Sequence, residues 1–320
     1  MSIYVSIASY EDPFLERTVK SAIDNALYPE NLYFGIAVQN EKIKIPDFSF
    51  IKTENLSLLN LNAKNRPGVV RIRYILRKLM RNQDYFLQID SHMFFEKNWD
   101  INLIKKFNEL KQITGKDKVI ISKFLTRHIG KENEEEKNSV TSFYINNNSG
   151  YNFLGIGSEQ REISKFKNIE IIGDFAKTQY ITGQFIFSDN TFITDGSFDS
   201  YSDFFTEEYV DSIFSYIRGY DTYAILGYNY LSHNNEEYNE LVYGSKNFSD
   251  KTFKVLSEKD KDHIVFKPDF YKFLFNSKNT RFYIHDVQRT FKDFCIELGL
   301  DFYFIKNNYY KYLKDNNIKE

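Results

Sequence analysis

The chain has 320 residues, 42% of them hydrophobic, which is enough to bury the core of one large α/β domain or of a domain with a substantial appendage. Lysine and arginine total 42 against 44 aspartates and glutamates, for a formal net charge of −2. This balance argues against a duplex-DNA surface and a strongly basic membrane-facing patch, so we expect no nucleic-acid partner. The 24 tyrosines and 31 phenylalanines suit sugar or base stacking, although core and strand filling explains them first.

Cysteine content and the N-terminus bear on the compartment. Cys295 is the sole cysteine, which excludes an internal disulfide and a cysteine-rich zinc site and fits a reducing compartment. The first eight residues lead directly into a strand pattern, without the basic flank and apolar stretch of a signal peptide. No uncharged apolar run is long enough to span a membrane. We therefore expect a soluble, cytoplasmic protein without a transmembrane segment; the sequence leaves its oligomeric state open.

The first forty residues predict a β-α-β unit. Ile3–Ala8 has a strand pattern, a turn ending at Pro13 opens a helix, and Leu32–Val38 is a second strand. The strands of such a unit are parallel, and ligands bind beyond their carboxyl ends. No glycine-rich phosphate loop follows the first strand, so groups other than backbone amides must contact any phosphate. The residues that would meet a nucleotide at this edge are Ala8, Ser9 and Glu11.

A helix predicted from Val69 to Met80 carries a series of basic side chains. They are Arg71, Arg73, Arg77 and Lys78, with Arg81 just beyond. A guanidinium suits the oxygen geometry of a diphosphate, and Arg73 is the candidate for that contact. For each of the others, a solvated basic face is the expected role.

The chain is organised around Tyr85–Met93. Its apolar half predicts a buried strand, and its polar end carries Asp90, Ser91 and His92. Alternation along a strand puts Asp90 and His92 on one face, where a carboxylate oxygen and an imidazole nitrogen can share a divalent ion. Asp-x-His alone is a weak motif, because an acidic residue after a strand is more often a turn residue or a helix cap.

The middle of the chain predicts further elements around one insertion. A helix runs from Trp99 to about Leu110, and Val119–Ser122 is a strand. Residues Gly130–Ser149 are charged and rich in asparagine, which predicts a mobile surface insertion. Strands follow at Ile169–Ile172 and Tyr180–Phe187, the latter interrupted at Gly183.

A missing side chain such as that of Gly183 often allows a ligand to approach closely. Beyond it, Glu207 and Glu208 precede a predicted helix from Tyr209 to Arg218, and a short strand-like run ends at His233. The region after Asn234 is predicted to be mixed helix and loop that packs on the main domain.

Taken together, these residues resemble the cytoplasmic-type polypeptide α-N-acetylglucosaminyltransferases that modify hydroxyproline, and their bacterial and viral relatives. The similarity spans nearly the whole chain, and the Gln-Ile-Asp-Ser-His-Met core is far more specific than Asp-x-His alone. The matching segments are Val5–Pro13, Gly68 with Arg73, Tyr85–Met93 with Trp99-Asp100, Thr182–Phe187, Phe205–Glu208, Arg218–Asp221, His233, and Arg289-Thr290 with Phe294 and Gly299–Asp301.

The resemblance implies a GT-A fold, with a Rossmann-like central mixed sheet flanked by helices. Residues 1–234 would form the catalytic domain, with the donor and metal site, and residues 235–320 a C-terminal extension of helices and loops packed on it. The implied activity is metal-dependent, retaining transfer of a sugar. The donor would be UDP-N-acetylglucosamine, and the acceptor a hydroxyl group on hydroxyproline, serine or threonine of a protein, or on a glycan.

The resemblance also assigns roles to individual residues. Mn²⁺ or Mg²⁺ would be bound by Asp90, His92 and His233, and the catalytic candidates are Glu208, near the sugar and acceptor, and Asp90. The donor would be contacted by Ala8, Ser9, Glu11, Arg73, Asp90 and Ser91. A metal that bridges both phosphates would offset the charge on the leaving diphosphate. The competing roles are a strand-end cap for Asp90, a structural histidine for His233 and ordinary first-turn acids for Glu207 and Glu208.

The chain departs from the family pattern on the acceptor side. Arg71-Ile72-Arg73 stands where Tyr-Ala-Arg is usual, Thr206 replaces a glycine, and Asp199-Ser200 stands where Asp-Pro is expected. The acceptor therefore stays open among a hydroxyproline protein, a glycan and a lipid-linked molecule. Two alternatives are transfer of another UDP-hexose to a surface polysaccharide and a catalytically silent GT-A binding module. A metal-dependent hydrolase would need a denser set of ligands.

Overall fold

The structure is a computed structural model, which describes residues 1–40, 45–62, 68–125, 138–145, 156–166, 169–194, 207–233, 274–275 and 287–315. The strands are β1 (Ile3–Tyr10), β2 (Leu32–Asn40), β3 (Leu56–Asn62), β4 (Tyr85–Ile89), β5 (Met93–Phe95), β6 (Val119–Ser122), β7 (Ser139–Ile145), β8 (Ile156–Glu162), β9 (Glu170–Ile172), β10 (Phe175–Lys177), β11 (Phe185–Asp189), β12 (Asp221–Ile225) and β13 (Leu231–His233). The helices are α1 (Leu15–Asn25), α2 (Val69–Leu79), α3 (Trp99–Thr114), α4 (Thr191–Thr194), α5 (Glu207–Ile217), α6 (Phe291–Glu297) and α7 (Phe302–Asp315).

Nine strands form one mixed sheet in the order β3-β2-β1-β4-β11-β6-β12-β10-β9. The first four strands in this order are parallel, and β11 runs antiparallel beside β4. From β1 the chain moves outward to β2 and β3, and it then returns to the other side of β1 as β4. The direction of winding therefore reverses between β1 and β4, and such a reversal opens a crevice at the carboxyl ends of the strands.

Alternating side chains of the sheet enter two large hydrophobic cores, with two smaller clusters beside them. Ile3, Val5 and Ile7 of β1 pack into the first core with residues of α1 and α3, whereas Tyr4 belongs to the second. Trp99 at the start of α3 is fully buried, and its indole nitrogen donates to the carbonyl of Ala22 at 2.8 Å. This contact fixes α3 against α1 on one face of the sheet.

The second core joins α5 to the C-terminal helices α6 and α7. Ile213 of α5, Phe294 of α6 and Ile305 of α7 are all fully buried in it. Thr290 begins α6 with a capping box, in which its hydroxyl and the carboxylate of Asp293 satisfy each other's backbone amides. The proposed domain boundary at residues 234–235 lies outside the described residues.

Several predicted elements are confirmed, and two predictions are wrong. The segment Gly130–Ser149 is not surface insertion throughout, because β7 lies within it, pairs with β8 and buries Val140 and Phe143. The strand predicted from Tyr180 begins only at Phe185. Sequence patterning also missed the strands β3, β5, β8 and β10. Predictions that lie outside the described residues concern Asp199, Ser200 and Thr206.

No helix in the described part of the chain combines the length and the apolar character needed to cross a bilayer.

Candidate active site

The carboxyl ends of β1 and β4 lie side by side. Ile7 pairs with Ile89, so the residues that follow each strand enter the same crevice. Glu11 turns the chain there with a left-handed backbone (φ 44°), and its amide donates to the carbonyl of Gln39 at 3.0 Å. This turn leads directly to Asp12, which reaches across the crevice.

Asp12 connects the two strand ends. One carboxylate oxygen accepts from the amide of Phe14 at 2.8 Å, while the other contacts Ser91 Oγ at 2.5 Å and His92 Nδ1 at 2.7 Å. The Asp12 side chain is 1% exposed. Sequence analysis missed Asp12 and assigned it only to a turn; the available signal was an acidic residue just beyond a parallel strand, as in the case of Asp90.

Arg73 lies between two carboxylates. Its Nη2 contacts Asp90 Oδ1 and its Nη1 contacts Glu207 Oε2, each at 2.7 Å, and the residue is 5% exposed. Burial raises the pKa of Glu207 to about 7; the charge of Asp211 adds to the rise and that of Arg73 opposes it. Arg73, the expected donor contact, thus joins the candidate metal ligand Asp90 to the start of α5.

Gly183 covers this ion pair. A Cβ atom at position 183 would lie 2.3 Å from Nη1 of Arg73 and 3.3 Å from Oε2 of Glu207. The close approach that was expected of a ligand at this glycine is made by the protein's own guanidinium. The carbonyl of Gly183 accepts from the side-chain amide, Nε2, of Gln88 at 2.9 Å, which holds the glycine against β4.

The expectation of a solvated basic face is wrong for Arg77. It lies one turn beyond Arg73 on the same side of α2 and is only 5% exposed. Its guanidinium donates to Gln88 Oε1 and forms an ion pair with Asp211 of α5 at 2.8 Å. The face of α2 that carries these two arginines is therefore turned toward the sheet and α5, whereas Arg71 is exposed as expected.

Glu208, the candidate for the sugar and acceptor side, is half-buried at the start of α5. Its carboxylate accepts from the hydroxyl of Tyr180 and from the amide of Gly183, the latter at 2.9 Å. Burial raises the pKa of Tyr180 well above its usual value, and the neighbouring charge of Glu208 adds to the rise. The ion pair with Arg73 belongs to Glu207, which sequence analysis had left as a first-turn acid.

The backbone also brings His233 close to the segment that contains His92. Strand β13 pairs antiparallel with β5, and His233 stands opposite Met93, the residue after His92. The side chain of His233 lies outside the described part of the structure. Among the side chains that are described, no three His, Cys, Asp or Glu residues form a group able to hold a metal ion. Asp90 and His92 carry a carboxylate oxygen and an imidazole nitrogen, the kinds of donor from which a divalent-ion site was predicted.

The predicted nucleoside contacts lie on β1 and its turn. Ser9 is buried, and its hydroxyl has no hydrogen-bond partner within the described part of the chain. Ala8 is half-buried, as is Glu11. A buried hydroxyl is normally paired, so Ser9 is suited to a polar partner from outside the described residues.

Comparison with solved structures gives the fold. A crystal structure of GalNAc-T7 with UDP, GalNAc and Mn²⁺ matches with a TM-score of 0.55 at 12% identity, over 97% of this chain and 58% of that one. The chain therefore spans less than two thirds of that structure. TarS of S. aureus matches with a TM-score of 0.43 at 14% identity, over 87% of this chain and 74% of a 1–349 fragment. The large mixed sheet flanked by helices is a GT-A fold.

Comparison with sequences gives the family. A search of curated protein sequences finds no significant match. The profile of the family described as Glycosyltransferase (GlcNAc) matches residues 2–65 and 48–233, which is more than half of the chain. The chain therefore belongs to the GlcNAc glycosyltransferase family.

Proposed function

We propose that this protein is a metal-dependent, retaining glycosyltransferase that moves N-acetylglucosamine from UDP-N-acetylglucosamine to a hydroxyl group on a protein or glycan. The observation that carries the proposal is the contact of Asp12 with Ser91 and His92 across the β1–β4 crevice. Nucleotides bind at such a reversal of winding in open α/β sheets. Because the sequence motifs resemble those of the hydroxyproline-modifying enzymes, we include hydroxyproline among the proposed acceptors.

The solved neighbour supports the choice of donor and metal. GalNAc-T7, which shares this fold, was crystallised with UDP, GalNAc and Mn²⁺. A UDP-sugar donor and a divalent ion therefore suit a fold of this kind, while the family description names GlcNAc. Residues 1–234 would supply the donor and metal site, and residues 235–320 would pack on them as an extension.

The donor would bind along the carboxyl ends of β1 and β4. Ser9 and Glu11 would line the nucleoside, and Ser91 would lie near the diphosphate. A divalent ion, when bound, would stabilise the charge that develops on the leaving diphosphate. Asp90 and His92 would hold it, with His233 contributed from β13.

The remaining charged residues would organise this site. Arg73, 2.7 Å from Asp90, stabilises negative charge on that carboxylate and restrains its position. Glu208 would lie on the sugar and acceptor side, anchored through Tyr180 and Gly183. In this proposal Glu208 is a pocket residue, and retention can proceed through a covalent or a front-face route.

The test is a calorimetric titration of the purified protein with UDP, UDP-N-acetylglucosamine, UDP-N-acetylgalactosamine and UDP-glucose, with and without Mn²⁺, alongside a UDP-release assay. Metal-dependent binding that is tightest for UDP-N-acetylglucosamine, with slow donor hydrolysis, is the expected result. Preference for another UDP-hexose would favour a polysaccharide transferase. Binding without any UDP release would favour a silent binding module, and absence of binding under both conditions would overturn the proposal.

A further inference from the structure

We propose that Asp12 is a positioning residue for the metal site, because it sets the tautomer and orientation of His92. The effect on metal binding rests on the proposed function, whereas the effect of Asp12 on the imidazole of His92 does not depend on it. Asp12 lies 80 residues from His92 in sequence, and their contact is 2.7 Å long.

A backbone contact within its own turn fixes the carboxylate of Asp12. Oδ1 accepts from the amide of Phe14 at 2.8 Å, at the turn that leads into α1. Oδ2 is thereby directed at Ser91 Oγ and His92 Nδ1. Since the side chain is 1% exposed, water does not replace these partners.

The chemistry of the contact determines which histidine nitrogen carries the proton. An ionised carboxylate can only accept hydrogen bonds, so Nδ1 of His92 must donate. In the neutral imidazole, Nε2 then carries the lone pair that a metal requires. Histidine ligands of metals commonly donate their other nitrogen to a carboxylate in this way, and removal of that partner weakens metal binding by about 10- to 100-fold.

A separate contact holds the backbone of the same segment. Thr18 of α1 donates its hydroxyl to the carbonyl of Ser91 at 2.7 Å and accepts from the amide of Met93 at 2.9 Å. Thr18 therefore anchors the main chain around His92, while Asp12 contacts the side chains. A change at Asp12 can alter the imidazole without releasing the segment from α1.

Asp12→Asn separates a positioning role from a purely structural one. The asparagine keeps an oxygen for the amide of Phe14, but it presents an NH₂ group to His92. That donor favours the tautomer in which Nδ1 accepts and Nε2 carries the proton, so Nε2 has no lone pair for a metal. The matched control is Asp47→Asn, because Asp47 makes the same kind of contacts, with the amide of Ser49 at 2.9 Å and its hydroxyl at 3.0 Å, at an exposed site.

The first measurement is the tautomer of His92 in the metal-free protein. Long-range ¹H–¹⁵N NMR resolves the imidazole nitrogens of the five histidines, and the signal lost in His92→Gln assigns position 92. At a pH where the ring is neutral, the wild type and Asp47→Asn should show protonated Nδ1, and Asp12→Asn should show protonated Nε2. A wild-type His92 with protonated Nε2 would overturn the inference without any variant at Asp12.

The second measurement is Mn²⁺ affinity in the presence of UDP, by calorimetry. Asp12→Asn should bind Mn²⁺ at least about tenfold more weakly than the wild type, with unchanged Trp99 fluorescence, while Asp47→Asn should match the wild type. Equal Mn²⁺ affinity in Asp12→Asn and wild type would overturn the positioning role and leave the proposed function standing. A wild type that binds no Mn²⁺ with UDP would overturn the proposed function, while the NMR result would still decide the Asp12–His92 contact.

Discussion

Arg73 and Glu207 form an ion pair 2.7 Å long between α2 and α5, directly beneath Gly183. The two residues are 5% and 3% exposed, so neither can exchange its partner for water. The same guanidinium contacts Asp90, and this candidate metal ligand just beyond β4 is therefore coupled to the start of α5 through one side chain. An unpaired charge left at such a site is costly.

Gly183→Ala should destabilise the protein, because its Cβ would lie 2.3 Å from Nη1 of Arg73. Overpacking of this kind costs about 1–3 kcal/mol in the free energy of unfolding. Urea denaturation followed by the fluorescence of Trp99, the only tryptophan and fully buried, measures the loss.

The cause can be isolated with Arg73→Ala, which removes the crowding atom. That single change should itself cost about 3–5 kcal/mol, because it leaves Glu207 without its cation. In the Arg73→Ala background, Gly183→Ala should cost less than it does in the wild type, as expected for contacting residues. An equal cost in both backgrounds would show that the crowding lies elsewhere.

Glu207→Gln should change how stability depends on pH. Burial raises the pKa of Glu207 from its usual 4.5 to about 7, so the folded protein holds this proton more tightly than the unfolded chain does. The resulting contribution to stability is complete below a pH of about 4.5 and is lost as the pH rises through about 7. Over that range the wild type should lose unfolding free energy relative to Glu207→Gln, as measured by urea denaturation at a series of pH values.

The control for Glu207 is Glu16→Gln. Glu16 is paired with Lys20 on the exposed side of α1, so its substitution should leave the pH dependence of the wild type unchanged. Parallel stability curves for the wild type and Glu207→Gln would contradict the assignment of this proton to Glu207.

Arg77→Ala should be strongly destabilising, whereas Arg71→Ala on the same helix should be nearly neutral. Arg77 is buried against Gln88 and Asp211, and its loss leaves the Asp211 carboxylate buried and unpaired, at a cost of about 3–5 kcal/mol. Arg71 is exposed, and its substitution should change stability by less than about 0.5 kcal/mol. Thermal unfolding of the two variants checks this, and similar melting temperatures would restore the idea of a solvated basic face.

The sequence predicted those features of the fold and the site that leave a local pattern in the chain. The apolar runs of β1, β2 and β4 are local, and the rule that parallel strands end at one edge was sufficient to bring Ser9 and Asp90 together. Asp12 was also correctly assigned to a turn, since it binds the amide of Phe14. Its contact with His92, 80 residues away, leaves no local pattern.

The burial of Arg73 and Arg77 in α2 also leaves no local pattern in the sequence. Their partners on α5 lie 134 residues further along the chain, and the basic face of an exposed helix has the same spacing. The strand within Gly130–Ser149 was missed because its charged and asparagine-rich neighbours dominate the composition of the segment. Charge composition thus predicted exposure where tertiary packing buries β7.

Cys295 should be unreactive toward thiol reagents in the native protein. It is fully buried in α6, and burial raises the pKa of its thiol to about 12, which suppresses the reactive thiolate. Labelling with a maleimide should therefore be slow in buffer and complete in urea, as measured by mass spectrometry. Rapid labelling without denaturant would show that α6 separates readily from α5.

Asp90→Ala and His92→Ala should each abolish Mn²⁺-stimulated release of UDP from UDP-N-acetylglucosamine while the protein stays folded. Removal of Asp90 leaves Arg73 paired with Glu207, so no buried charge is abandoned. The matched control is Asp189→Ala, because Asp189 pairs with Tyr85 at the opposite end of β4 and its carboxylate binds Lys111 at 3.0 Å. That variant should keep full activity, since its carboxylate lies at the edge of the sheet away from the crevice. An Asp90→Ala enzyme that still released UDP at the wild-type rate would exclude Asp90 from the metal site.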